Sequence, residues 1–478
     1  MMNDEPPALD SHQPLEVRLM LKLSTFAILA SVLAASLASS YPAYGSEACG
    51  GKVATLPFSV ASPEPPSAYQ LPTGATLVST TFDLQAALAW DPDDNEKPKD
   101  IVLADGVYTP DDLDGDFLTL HGSHRLWAQN LGQATLKFGV VIGSPTNENL
   151  ALGAELHGLH FDIEQETHGA SANPAHRSFG VLIWGTARGV VIEDSSFDGG
   201  GVVDFGIGAY RHDGLVVRRV EIEGFKRFGL FTDMDPTRPV TGHSVLEDIR
   251  VSRVGDNEWA WSFEETHEDY DPAYPNYDAA DPYKPSQEVG IWVGAPGRLS
   301  RAWVRDIARV GVIAAGDAFG VLMEDLDVDD IGWRPIGPSS VNGAGLYFDN
   351  QAYHSTFRRF CVGPGVVKGL VSEWDNNTFP RGIRNRVENG LVEASRFGIF
   401  FDQGTIDSTV SSVYFRNASW AGLTLHNNVW YGDDSSNIEV LYRDLHDVGL
   451  PQGSCLVTAH HPNNSTPCHA PPPTPQSP

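Results

Sequence analysis

Short apolar stretches recur along the chain, each opened by a glycine. They read Gly180-Val-Leu-Ile-Trp184, Gly206-Ile-Gly-Ala-Tyr210, Gly229-Leu-Phe-Thr-Asp233, Gly290-Ile-Trp-Val-Gly294, Gly311-Val-Ile-Ala-Ala315, Gly345-Leu-Tyr-Phe-Asp349, Gly369-Leu-Val-Ser-Glu373, Gly398-Ile-Phe-Phe-Asp402 and Gly422-Leu-Thr-Leu-His426. Positions 2 and 4 are mostly apolar and share one face of a strand, which assigns them to the interior and positions 3 and 5 to the outside. The glycines lie 26, 23, 61, 21, 34, 24, 29 and 24 residues apart, so most intervals fit one coil of a solenoid and the 61 requires an insertion. After each first strand comes a second with apolar residues at offsets 0, +3 and +5, as in Val217/Val220/Ile222 and Leu246/Ile249/Val251. Two short strands per coil with glycine and polar corners predict an all-β chain folded as a right-handed parallel β-helix.

This pattern resembles the pectin-lyase-like superfamily over roughly residues 82 to 460. The resemblance implies the solenoid and leaves the chemistry open, because that fold carries lyases, hydrolases, epimerases, tailspikes and adhesins. An open end of such a stack exposes unpaired strand edges. The segment Phe82 to Trp90 is amphipathic at helical spacing and precedes the strand-like Ile101–Tyr108, so it is read as an N-terminal capping helix.

The flanks divide the chain further. Residues 1–19 form a polar extension, and 20–45 hold basic Lys22, an apolar run from Phe26 to Ala38 and small residues, the form of a secretory signal peptide. Its apolar run is shorter than the ~20 residues needed to span a bilayer. A Pro-rich lead-in covers 46–81, the β-helix 82–460 with an insertion at about 256–287, and a Pro-rich tail 461–478 is expected to be disordered. After cleavage the protein is expected outside the cytoplasm, secreted or periplasmic, with no membrane attachment. Cys49, Cys361, Cys455 and Cys468 are an even set for an oxidising compartment. Three pairings are open; Cys455 with Cys468, across a short loop, and Cys49 with Cys361 is favoured.

The second strand carries a charge pair in each coil. In order these are Glu193-Asp194, Arg218-Arg219, Glu247-Asp248, Ser300-Arg301, Glu324-Asp325, Arg358-Arg359, Glu388-Asn389 and Ser411-Ser412. Acid and base largely alternate, as a stack of cross-strand neighbours requires, so the ladder is read as a register-setting device.

The first strand holds the candidate chemistry. Position 3 supplies Phe231, Trp292, Tyr347 and Phe400, and position 5 supplies Asp233, Asp349, Glu373, Asp402 and His426. Aromatic faces stack on the C–H surfaces of pyranose rings while carboxylates bind hydroxyls, so an exterior wall of this composition predicts a glycan site. One rung apart, Asp349 and Glu373 would stand ~5 Å from each other, and Asp349 and Asp402, two rungs apart, ~9 to 10 Å, spacings used by retaining and inverting glycosidases respectively. Crowded carboxylates hold one member protonated and another ionised, as glycoside hydrolysis requires. The string Gly345–Asp349 followed by Leu370–Glu373 is similar to β-helical β-xylosidases, and that likeness implies Asp349 as nucleophile and Glu373 as acid/base.

A second reading takes Asp349, Glu373 and Asp402, with Asn350 or Asp375, as calcium ligands in a polysaccharide lyase or epimerase, with His426, Lys368 or Arg381 as the base. The hydrolase reading requires no cofactor. A third reading is a non-catalytic glycan-binding or surface structural protein. The insertion at 256–287 carries Trp259, Trp261 and Tyr270, expected to wall the site and touch substrate.

Composition narrows the partners. With 62 Asp+Glu against 32 Lys+Arg the 478-residue chain carries a formal charge of −30, which excludes a Lys/Arg-driven nucleic-acid binder and repels uronans unless calcium intervenes.

Overall fold

The computed structural model describes residues 56–67, 69–89, 99–113, 117–144, 151–163, 178–185, 187–210, 212–233, 243–255, 288–315, 319–332, 343–349, 352–372, 383–402, 405–426, 438 and 440–460. Most of them lie in β-strands. Every ladder among them is parallel, and each strand pairs with its equivalent one coil earlier and one coil later. The described strands form a right-handed parallel β-helix.

The first wall is the glycine-led one. Its register runs Val181↔Ile207↔Leu230↔Ile291↔Val312↔Leu346↔Leu370↔Ile399↔Leu423. Those side chains, and Ile183, Phe348 and Phe401 two residues on, are 0–1 % exposed and line the central core. The stack also extends beyond the glycine repeat. Phe117–Leu120 and Gly139–Ser144 precede it and Cys455–His460 closes it, with Leu456 standing where the glycine would be.

These glycines are required by space. A β-carbon on Gly290 would lie 2.6 Å from Val304 Cγ1 and 2.7 Å from the Gly311 carbonyl oxygen of the next coil. One on Gly311 would meet the Gly345 oxygen at 2.6 Å and Val328 Cγ1 at 2.7 Å. The column therefore packs against both the neighbouring coil and the opposite wall with no room for a side chain.

The second strand divides in two. In coil order Asp194, Arg219, Asp248, Arg301, Asp325, Arg359, Asn389, Ser412 and Asp444 all adopt left-handed backbone, with φ between 52° and 58°. The ladder skips each of them, as where Glu193↔Arg218 is followed by Ser196↔Glu221. In each coil this left-handed residue breaks the ladder and separates a second wall from a third. For non-glycine residues this conformation is uncommon and costly. Bidentate pairs hold it in place. Arg219 grips Asp194 at 2.6 and 2.8 Å, Arg301 grips Asp248 at 2.6 and 2.7 Å, and Arg359 grips Asp325 at 2.9 and 2.6 Å. Hydrogen bonds to these carboxylates hold the Arg301 and Arg359 guanidiniums above their usual pKa. Beside them Arg218 bridges Glu193 at 3.2 Å and Glu247 at 3.0 Å. The alternating charges of the sequence thus form a physical ladder.

The capping helix forms over Thr81–Ala87, with the Thr80 hydroxyl accepting the Asp83 N–H at 3.0 Å. It turns Leu84 and Leu88 into the core and leaves Phe82 outside. The Pro-rich lead-in from residue 56 lies against the solenoid, with Phe58 packed near Tyr414 and Tyr69 near Trp127. The polar extension, the signal segment, the insertion at 256–287 and the tail from 461 lie outside the described residues. Cys49 and Cys468 do too, so the expected pairings fall outside them, and neither described cysteine is a free thiol. Among the described residues no helix is long and apolar enough to cross a membrane.

Candidate active site on the first wall

The column at the end of the glycine-led strands is continuous. Trp184 pairs with Tyr210 and Tyr210 with Asp233; the Gly294 N–H donates to the Thr232 carbonyl at 2.7 Å and the Asp349 N–H to the Ala314 carbonyl at 2.9 Å. Phe348 then pairs with Ser372 and Ser372 with Phe401, and Asp402 pairs with His426 and His426 with His460. The backbone therefore places Asp349 and Asp402 in one column, two rungs or ~9.6 Å apart. Ser372 stands on the rung between them; Glu373, the next residue in sequence, lies outside the described residues, as do Trp259, Trp261, Tyr270, Asn350, Asp375 and Arg381. Asp349 and Asp233 are half-buried.

The neighbouring column differs from its expectation. Phe231, Tyr347 and Phe400 are only 2 %, 5 % and 9 % exposed, and so do not form an open stacking platform. They belong to a second hydrophobic cluster outside the first wall, together with the residues just before the glycines: Phe179, Phe205, Phe228, Val289, Val310 and Phe397. Strict two-residue alternation would send those preceding residues inside. The register instead jumps over the glycine, as Phe179↔Phe205 is followed by Val181↔Ile207, so the residue before it turns outward while the one after it stays in the core. Rings then pack in pairs, Phe228 edge-on to Phe231 at 5.1 Å and Phe397 to Phe400 at 5.2 Å. The apolar residue that precedes each glycine was the signal for this second layer.

What stays accessible is smaller and lies toward the N-terminal coils. Leu182, Trp184, Tyr210 and Trp292 are half-buried. Trp184 and Tyr210 lie 5.4 Å apart, Tyr210 and Phe231 4.9 Å, and Phe231 stacks on Trp292 at 5.6 Å. Of the expected aromatic contacts among the described residues only Trp292 retains an accessible face, and Trp184 and Tyr210, visible at position 5 in the sequence, are added to it. Lys368 is buried, with its ammonium 5.3 Å from the Phe400 ring centroid. His426 stands in the acid column, one rung beyond Asp402.

Among the described residues no group of three His, Cys, Asp or Glu side chains is arranged around a metal position. The calcium set includes Glu373 and falls outside that statement.

No family model and no curated protein matches the sequence. Solved structures do. The chain is similar to the mannuronan C-5 epimerase AlgE4 A-module of Azotobacter vinelandii, at 11 % identity over 80 % of this chain and 100 % of that one, TM-score 0.48. It is similar to the Dettilon tailspike protein at 12 % identity, over 75 % of this chain and 57 % of that one, TM-score 0.43. A PL6 alginate lyase in complex with a trisaccharide matches at 11 % identity over 81 % and 89 %, TM-score 0.43. None of these likenesses bears on the chemistry of this chain.

Proposed function

We propose that the protein is a carbohydrate-active β-helix working outside the cytoplasm, which hydrolyses glycosidic bonds of a poly- or oligosaccharide laid along the first wall. The observation that supports this reading is the shared column of Asp349 and Asp402, two rungs apart, with Ser372, the residue before Glu373 in sequence, on the rung between them. A sugar chain following the solenoid axis meets one such position every ~4.8 Å, which lets two carboxylates flank one bond. One protonates the departing glycosidic oxygen while the other activates water or attacks the anomeric carbon. The two-rung pair Asp349/Asp402 leaves room for a water and gives inversion, and the one-rung pair Asp349/Glu373 gives retention. Trp184, Tyr210 and Trp292 supply ring faces further along the wall, beside Asp233.

The test is a panel of neutral and acidic glycans, with and without chelator, read for new reducing ends and ultraviolet absorbance. Hydrolysis gives reducing ends, no new absorbance and no chelator sensitivity. Asp349→Asn is expected to lower the rate by about a thousandfold with unchanged circular dichroism. Full activity in that variant removes the assignment.

The second reading, a calcium-dependent lyase or epimerase, is favoured by one observation. Lys368, a candidate base, stands on the same wall as the acid column. Chelator-sensitive release of an unsaturated product would select the lyase. Binding without turnover would select the non-catalytic reading.

A further inference from the structure

We infer that the outer face between the second and third walls is a docking track for an extended chain of threefold symmetry, and that residues 56–69 of this chain are its occupant. The lead-in runs along the solenoid axis, against the coil order. The Ser67 N–H donates to Asp194 at 2.8 Å, the Glu64 N–H to Asp248 at 2.9 Å, and the Ala61 N–H to Asp325 at 3.4 Å. Each step covers three residues of the lead-in and two coils of the solenoid, since Arg219 and Arg301 occupy the coils between.

The two lengths match. Three residues of polyproline II rise about 9.3 Å, and two rungs of a parallel stack rise about 9.6 Å. Burial has the same period. From residue 60 to 69 the covered positions are Val60, Pro63, Pro66 and Tyr69, with Pro63 buried, while Ala61, Ser62, Glu64, Pro65 and Ser67 are exposed; upstream, covered Leu56 and Phe58 alternate with exposed Pro57 and Ser59. Prolines at 63, 65 and 66 fix φ near −65° and remove donors that would face nothing. The amides that remain at 61, 64 and 67 are the ones the acids accept. Arg250 completes the recognition by donating to the Pro63 carbonyl at 2.6 Å and the Glu64 carbonyl at 3.2 Å.

The alternation of acid and base therefore has a second use. Asp194, Asp248 and Asp325 each accept from the arginine of the next coil and from the lead-in, so an acid every second coil is what a threefold chain can read. At its upstream end the lead-in places Leu56, Phe58 and Val60 against Cys361, Leu391 and Tyr414. The track accepts a proline-rich strap with an N–H every third residue, and the strap ties together coils that otherwise touch only their neighbours.

Amide exchange on the full-length protein tests the inference, followed at Ala61, Glu64 and Ser67 against a synthetic peptide of residues 56–70. Docking predicts exchange at Glu64 and Ser67 at least about tenfold slower than in the peptide. Two register variants separate docking on this track from loose association. Deleting Pro66 shifts everything upstream by one residue and should return Glu64 and Ala61 to the peptide rate. Duplicating Pro63-Glu64-Pro65 adds one whole period and should leave the amides facing Asp248 and Asp325 protected. Both changes lie outside the coils, and circular dichroism checks that these stay folded. Peptide-like exchange in the parent protein, or equal protection in both variants, overturns the inference.

Discussion

A β-carbon is the smallest change that distinguishes the glycines of the first wall from one another. At Gly290 it would press on Val304 and on the Gly311 carbonyl, whereas at Gly208 the nearest atom is a Tyr210 ring carbon at 3.4 Å. Gly290→Ala should therefore destabilise the solenoid by about 2 kcal/mol or more, because the obstructing atom is backbone of the adjacent coil. Gly208→Ala should stay within about 1 kcal/mol of the parent. Urea unfolding of the two variants checks the contrast, and equal losses would show that the coils breathe enough to absorb a methyl group. At this scale the sequence was partly legible. The recurring glycine marked the strand, but its effect on the residue before it was hidden, because alternation rules describe a continuous strand and the glycine interrupts one. For that reason alternation alone predicts an open platform of Phe231, Tyr347 and Phe400, whereas they are buried in one cluster with Phe228 and Phe397.

Between residues and the whole stand the walls, and the second one depends on its charges. The Asp248 carboxylate is 1 % exposed and takes two hydrogen bonds from Arg301, itself 24 % exposed. Replacing Arg301 by Met leaves a desolvated carboxylate without its main partner, at a cost of about 3 kcal/mol. The double variant with Asp248→Asn should recover part of that loss, since an amide buried there carries no charge. A double-mutant cycle on thermal stability measures the coupling, and additive losses would mean that the pair is not interacting. The ladder itself was legible from charge order alone. The left-handed turn at its second member was not, because arginine in that conformation is disfavoured locally and is held there by the coil below. Nor was the lead-in's place on the track, since its partners lie 127 to 264 residues away in sequence. For the acid column the glycine spacing alone assigns rungs to the acids, and the ladder sets Phe348, Ser372 and Phe401, which precede them, in register.

On the scale of the whole solenoid, buried histidines couple the fold to pH. His212 is sealed between walls with its Nε2 2.8 Å from the Ser244 hydroxyl, and burial lowers its pKa to about 4, against smaller opposing effects from the Ala209 and Asp233 backbone and from Asp213. His124, 1 % exposed near the N-terminal end, is also lowered to about 4, by burial first and then by Lys99 and His121. The free side chain titrates near 6.5, so between 6.5 and 4 the unfolded chain binds protons that the folded one refuses. Their contribution is complete above 6.5 and is lost as pH falls from there toward 4, by about 2 kcal/mol per ring at pH 5. Urea midpoints measured at pH 7.5, 6.5 and 5.5 should fall in that order, before most carboxylates begin to protonate. His212→Gln keeps a hydrogen-bonding group beside Ser244 and cannot acquire the charge, so its midpoint should fall less steeply over the same interval. An identical slope in that variant would place the acid sensitivity elsewhere in the stack. A protein that works in an external medium would meet this limit there, and the inward column of apolar residues that closes the core is also what keeps these rings neutral.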